Sequence, residues 1–335
     1  MIIVIGAQSF VGTYLVDRLV EDGKEVIATG RDIEDNNFFN DPENVKCINL
    51  DIKNKKDFEK FPKKNIEAII HLAGLMPANI PEKEYSPYAY IDINIKGTLN
   101  VLEFCRENEI KKIVYTSSES DVSEQYGKLD IINENTPRLI NYNNDHTVYA
   151  ITKIASMDLI EHYNQKYNMK GVYFRLPNIF GYGQLLEHYK DGQLVLNGFG
   201  TFIKKAMRGE DIEIWGDPKK GRDVVYVKDL INMFVGAIDN PDSYGLYSVG
   251  TGSKTSLEEQ VKGIIDIFGS SSKSKIIYKP EKPSVREYLF DISKAKRDLN
   301  YAPKYSYIGM LKDWKKEYEL DRFPHFRERV KCLEN

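Results

Sequence analysis

The chain opens MIIVIGAQSFVG, and no other stretch constrains its fold as much. Four apolar residues (2–5) stop at Gly6. A second glycine, Gly12, lies inside an apolar pattern of helical spacing at Val11, Tyr14, Leu15 and Leu19. A buried strand therefore turns sharply into a helix. Glycine lets the backbone make that turn, and glycine in the first helical turn lets a phosphate approach the N–H groups at the helix start. Ser9 stands where a middle glycine is usual, and its small hydroxyl can itself contact phosphate.

The alternation continues along the chain. Strands are predicted over residues 25–29, 45–50, 68–72, 112–116 and 172–176, and helices over 11–22, 93–108 and 148–168. Such repetition predicts a doubly wound parallel sheet, a Rossmann α/β fold, with its ligand at the carboxyl ends of the strands. Clusters at 6–12, 30–31, Asp51, 71–74, 117–118 and 177–178 all fall at those ends. Past Asn178 the texture changes to glycine-rich loops and short amphipathic segments, which predicts a smaller lobe. The expected division is a dinucleotide-binding domain over 1–176, with 222–250 returning to it, and a substrate lobe from 177–221 and 251–335. The GSSSKSK run at 269–275 reads as a connector.

Composition narrows the partners. Net charge is −3 with 29% charged residues, which gives no basic surface for nucleic acid or anionic lipid. No stretch approaches the roughly 18 apolar residues of a membrane span, and the start lacks a basic leader. Cys47, Cys105 and Cys332 lie far apart without metal-ligand spacing, so the expectation is reduced thiols, a cytoplasmic location and no metal. Cys105 reads as core packing.

The chemistry is carried by Tyr149 and Lys153, four residues apart on one helix face. An ammonium beside a phenol favours the phenolate, making tyrosine a general base. The pair alone is weak, because 22 tyrosines and 47 lysines and arginines in 335 residues give about three such spacings by chance. Ser117 and Ser118, at the end of the preceding strand, strengthen it, since a hydroxyl there can hold the substrate oxygen. Strand two ends in TGRD, with Gly30 at the position where NAD sites carry an acid. Arg31 modestly favours NADP, and Asp32 keeps NAD open.

These motifs resemble the NAD(P)-dependent NDP-sugar epimerase/dehydratase family of extended short-chain dehydrogenases/reductases, from Ile2 to about Tyr318. They include GAQSFVG, LDI, HLAG, NIKGTLNVLE, VYTSSES, YAITK, FRLPNIFGYGQ, GDPKKGRDVVYVKDL, YSVGTGSKTSLEE and VREYLFDISKAKRDLNYAP. The resemblance implies that Ser118, Tyr149 and Lys153 are catalytic. It implies a cofactor site from Gly6, Ser9, Phe10, Val11, Gly12, Arg31, Asp51, Ile52, Leu72, Ala73, Gly74, Asn94 and Pro177, with Tyr149 and Lys153. It implies substrate contacts from Ser118, Glu119, Asn178, Arg222 and Arg286, the arginines on the diphosphate. A homodimer packed through the helices near 94–108 and 148–168 is also implied. His71 matches a structural position. Tyr126 and Gly127 resemble a family Tyr-Gly, but extra residues intervene and they receive no role.

Dehydratases of the family follow the active-site hydroxyl with Asp-Glu; here Glu119, Ser120 and Asp121 follow Ser118, so that pair is broken. This leaves an NDP-hexose 4-epimerase, similar to UDP-glucose 4-epimerases, as the favoured reading. The alternative is an NADPH-dependent 4-keto-6-deoxyhexose reductase, and a more distant one is a catalytically silent dinucleotide-binding protein.

Overall fold

The computed structural model describes residues 1–33, 39, 42–77, 84–144, 146–190, 193–271 and 274–334. Seven strands form one parallel sheet: β1 (Ile2–Ile5), β2 (Val26–Gly30), β3 (Val45–Asn49), β4 (Ala68–His71), β5 (Lys112–Thr116), β6 (Lys170–Arg175) and β7 (Gly245–Ser248). Their order is β7-β6-β5-β4-β1-β2-β3. Ile2 is in register with both Val26 and Ala68, so strand order reverses at β1, where an open sheet leaves a crevice.

Side chains of a strand alternate between faces, and the two cores follow that rule. Ile2 and Val4 of β1 join one apolar cluster, which includes residues of helix α1 (Phe10–Glu21). Ile3 and Ile5 join the other, against α2 (Gly97–Glu107) and α3 (Thr147–Tyr167). Cys105 is fully buried there, among Ile69, Ile113 and Met157. No described helix is long and apolar enough to cross a membrane.

The later chain returns to this scaffold by two routes. Helix α4 (Val227–Asp239) packs in the cluster of α1, and β7 pairs with β6. The Gly221–Asp223 strand pairs instead with Lys254–Ser256, outside the main sheet. Of the predicted connector, residues 272 and 273 lie outside the described residues.

Two local differences from the sequence reading stand out. The helix expected from residue 93 begins as a wide π turn over Ile91–Lys96, and regular α geometry starts at Gly97. The strand-like run after Arg222 is short, because Val227 already begins α4.

Candidate active site

At the end of β1 the chain turns through Gly6, with φ of +89°, where a methyl would sit 2.9 Å from the Ala73 nitrogen. The N–H groups of Gly6 and Ala7 both donate to the Thr29 carbonyl of β2. Ser9 caps α1, its Oγ accepting from the Gly12 N–H at 3.1 Å. A methyl on Gly12 would lie 2.4 Å from the Gly6 carbonyl, so only glycine lets the helix start this close to the strand. The first N–H groups of a helix have no intrahelical acceptor, and those of Phe10 and Val11 stand at the positive end of α1. This cradle fits a dinucleotide pyrophosphate.

The second wall leaves the end of β4. Leu72 and Ala73 N–H groups donate to the Ile5 carbonyl, which ties 72–74 to the glycine turn. Asn94, in the π turn, fixes the far side. Its Oδ1 accepts from Leu75 N–H at 2.7 Å, and its Nδ2 donates to the Leu75 carbonyl and the Thr152 hydroxyl. Both amide hydrogens are therefore committed inside the protein. His71 is fully buried on Thr98, and burial, then the Lys153 cation, pushes its imidazole down to about 3. It is a neutral packing residue.

Along the β2–β3 edge, Arg31 is exposed at the end of β2. Asp51 accepts from the Lys53 N–H, closing its own turn. Ile52 is buried beneath Gly97, and its carbonyl accepts from Asn100.

The three residues expected to react gather beyond β5. Ser118 is extended and caps a 3-10 turn over Glu119–Asp121, its Oγ accepting from Ser120 N–H at 3.2 Å. Tyr149 and Lys153 rise from the first turns of α3. The Lys153 ammonium donates to the Thr116 carbonyl at 2.6 Å and lies 4.4 Å over the Tyr115 ring. Burial raises the Tyr149 phenol above its ordinary value, while Lys153 and a hydrogen bond from Ser118 pull it back. As the sequence predicts, the Lys153 cation favours the phenolate, while burial of the phenolic oxygen works in the opposite direction.

The substrate side adds one carboxylate. Burial pushes Glu119 up to about 7, against the Tyr126 hydrogen bond at 2.6 Å and the Arg222 cation. Asp121 is taken out of play by a buried fork from Arg175, at 2.8 to 3.2 Å. The Glu119 N–H donates to the Leu176 carbonyl, which brings buried Pro177 and exposed Asn178 alongside the Ser118 turn. Arg222 sits beside Tyr288 and Glu119. Arg286 is different: its side chain is 62% exposed and paired with Glu124 at 3.0 Å.

Comparison with known proteins now adds to this geometry. The model of the NAD dependent epimerase/dehydratase family matches residues 2–250. The chain belongs to this family. A Methanocaldococcus jannaschii protein, provisionally named a UDP-glucose 4-epimerase, is 30% identical over 90% of this chain and 93% of its own. The UDP-glucuronate 4-epimerase of Thermodesulfobacterium geofontis is 28% identical, over 94% of this chain and 96% of its own. The structure of the Thermotoga maritima UDP-glucose 4-epimerase with UDP-glucose superposes with a TM-score of 0.73 at 25% identity, covering 96% of this chain and 99% of that one.

In this epimerase/dehydratase family member, sequence reasoning missed Tyr126. Its ring stacks on Tyr288 at 4.4 Å while its hydroxyl holds Glu119. Two successive 3-10 turns, Glu119–Asp121 and Ser123–Gln125, take up the extra residues and return the tyrosine to the site. The Tyr-Gly dipeptide at 126–127 was the available signal. The Ser117 and Ser120 hydroxyls are buried without a hydrogen-bond partner among the described residues.

Proposed function

We propose that the protein is a nucleotide-diphosphate-hexose 4-epimerase. The observation that carries the reading is the grouping of Tyr149, Ser118 and Lys153 at the carboxyl end of β5, beside the phosphate cradle of α1. Bound there, a nicotinamide dinucleotide supplies a hydride acceptor and donor. Ser118 holds the sugar 4-hydroxyl oxygen. Tyr149 takes its proton as the C4 hydrogen leaves, and returns it when the ketone is reduced from the other face. Lys153 steadies the phenolate and reaches the nicotinamide ribose. A nicotinamide held by this cradle would supply positive charge that favours the Tyr149 phenolate.

The remaining roles belong to the same proposal. The cofactor lies along Gly6, Ser9, Phe10, Val11, Gly12, Asp51, Ile52, Leu72, Ala73, Gly74 and Pro177, with Asn94 bracing the wall. Glu119, Asn178, Arg222 and Arg286 serve the substrate. Residues 1–176 with 222–250 carry the cofactor, and 177–221 with 251–335 close over the sugar nucleotide. Exposed Leu99 on α2 and Ile151 on α3 support a homodimer through those helices. The three cysteines form no disulfide, in keeping with a cytoplasmic protein.

A second reading, an NADPH-dependent 4-ketoreductase, is favoured by Arg31 alone, whose exposed guanidinium can meet a 2′-phosphate. The deciding experiment incubates the protein with UDP- and GDP-hexoses and follows C4 inversion by NMR. Inversion without net cofactor consumption is expected. Stoichiometric oxidation of NADPH with a 4-keto sugar, and no inversion, would replace the epimerase by the reductase. Titrating NAD and NADP against Arg31→Ala separates the cofactors: a loss confined to NADP, several-fold to about a hundredfold, places Arg31 on the 2′-phosphate.

A further inference from the structure

We propose that the C-terminal segment following Glu319 is a positioning element of the dinucleotide site, acting through His325. The proposal rests on the reading of 6–12 as a cofactor loop. The sequence resemblance reaches only to about Tyr318, yet the residues beyond it are not a loose tail. Phe323, Phe326, Val330 and Leu333 are all buried. Phe323 packs edge-on to Tyr14 of α1, with ring centroids 5.0 Å apart, and Phe326 packs on Phe10 at 6.5 Å. Arg322 pairs with Glu317 and with Asp17 of α1.

The same segment also grips the loop after β6. The Phe326 ring occupies the space beside Gly183, where an added methyl would lie 2.1 Å from it, and Arg329 donates to the Gly183 carbonyl at 2.9 Å. The Tyr182 hydroxyl donates to Asp321. The segment thus bridges the cofactor loop on one side and the chain leading from Asn178 on the other.

His325 makes the most direct contact. Its Nε2 lies 3.3 Å from the Thr13 hydroxyl, which itself lies 3.1 Å from the Ser9 carbonyl and 3.4 Å from that of Ala7. A hydroxyl has one hydrogen to give. Thr13 and the imidazole share one hydrogen bond, whose donor follows the imidazole tautomer, and the same hydroxyl borders the loop carbonyls. Burial, then the Arg329 cation, pushes His325 down to about 4, so the ring in this contact is neutral at physiological pH. The relay runs from His325 through Thr13 to the carbonyl of Ser9, the residue that caps α1. Fixing that cap beforehand spares the dinucleotide the cost of ordering the loop.

The test measures dissociation constants of the full chain, stripped of nucleotide, for NAD and NADP by calorimetry, with thermal melting in parallel. His325→Ala is expected to weaken the tighter dinucleotide about fivefold or more while turnover at saturating cofactor holds. His325→Gln keeps an N–H donor near the same point and should remain within about twofold of the original protein. A His325→Ala protein that melts earlier but binds within about twofold overturns the proposal, as does a Gln variant as weak as Ala. If the unaltered chain binds neither dinucleotide, the cofactor-loop reading itself fails.

Discussion

The Glu119 carboxylate accepts a hydrogen bond from the Tyr126 phenol at 2.6 Å, one residue from Ser118. Burial holds this acid near 7, and its ionised form adds to the rise on Tyr149. Glu119→Gln removes that charge at similar size. The acid limb of the kcat/KM profile, which reports the free base, should therefore move to lower pH in the variant. Stability gives a second readout. Between the usual 4.5 of a glutamate and about 7, the folded chain keeps a proton that the unfolded chain has released. This contribution is present below about 4.5 and lost as pH rises through 7, so the fall in stability across that window should flatten in Glu119→Gln. Superimposable profiles for the two proteins would place Glu119 outside the reacting network.

Tyr149→Phe keeps the ring packing and removes only the oxygen. Turnover should drop by about 10² or more with dinucleotide affinity preserved. Lys153→Met should behave differently, because the ammonium also ties α3 to the Thr116 carbonyl at the end of β5. It should lose both turnover and cofactor affinity. Equal affinities in the two variants would leave Lys153 serving the tyrosine alone.

Arg175 and Asp121 are each 1% exposed and joined by a three-contact fork, with the Arg175 guanidinium also donating to the Asn133 carbonyl. Removing one partner strands a buried charge. Arg175→Met should cost about 3–5 kcal/mol in denaturant unfolding, and Asp121→Leu combined with Arg175→Met should cost less than Arg175→Met alone. A single-variant cost below about 1 kcal/mol would contradict the buried pairing.

Much of this was legible in the chain itself. The apolar runs of β1 and β5 end where a glycine turn and a serine pair begin, and these two strands match the expected bounds. The grouping of Ser118, Tyr149 and Lys153 is readable because a strand end and one helix face place it. What escaped depends on three-dimensional surroundings. The π turn at Ile91–Lys96 is a shift in backbone hydrogen bonding that apolar periodicity does not encode. The direction of the Tyr149 shift depends on how far its oxygen is desolvated, whereas sequence spacing shows only the lysine. Asp121 looked like one half of a broken acid pair, and its partner Arg175 lies 54 residues away at the end of β6. Tyr126 lay beyond the expected interval because two 3-10 turns shorten the path in space.

Arg222 and Arg286 were expected to act alike, and their surroundings now separate them. Arg222 is half-buried, and its charge is felt by Glu119, Tyr288 and Tyr307. The strand that carries it is held by Asp223, which accepts from the Thr251 N–H and hydroxyl at 2.7 and 2.6 Å. A cation fixed in this way can hold two phosphates and orient the sugar toward Tyr149. Arg286 is largely in solvent on Glu124, where an ion pair contributes at most about 1 kcal/mol. Arg222→Ala should therefore raise the Michaelis constant for an NDP-hexose by about tenfold to a hundredfold, and Arg286→Ala by less. Neither should change dinucleotide affinity or the stereochemistry of the product. Removing the Arg222 cation also withdraws the charge that lowers Glu119, so the Glu119 titration should move above 7 in Arg222→Ala and stay in place in Arg286→Ala. Steady-state kinetics across pH on both folded variants, with free hexose as control, reads all of these quantities. If free hexose turns over as efficiently as the NDP-hexose, or if Arg286→Ala proves the more damaging change, the diphosphate does not lie against Arg222.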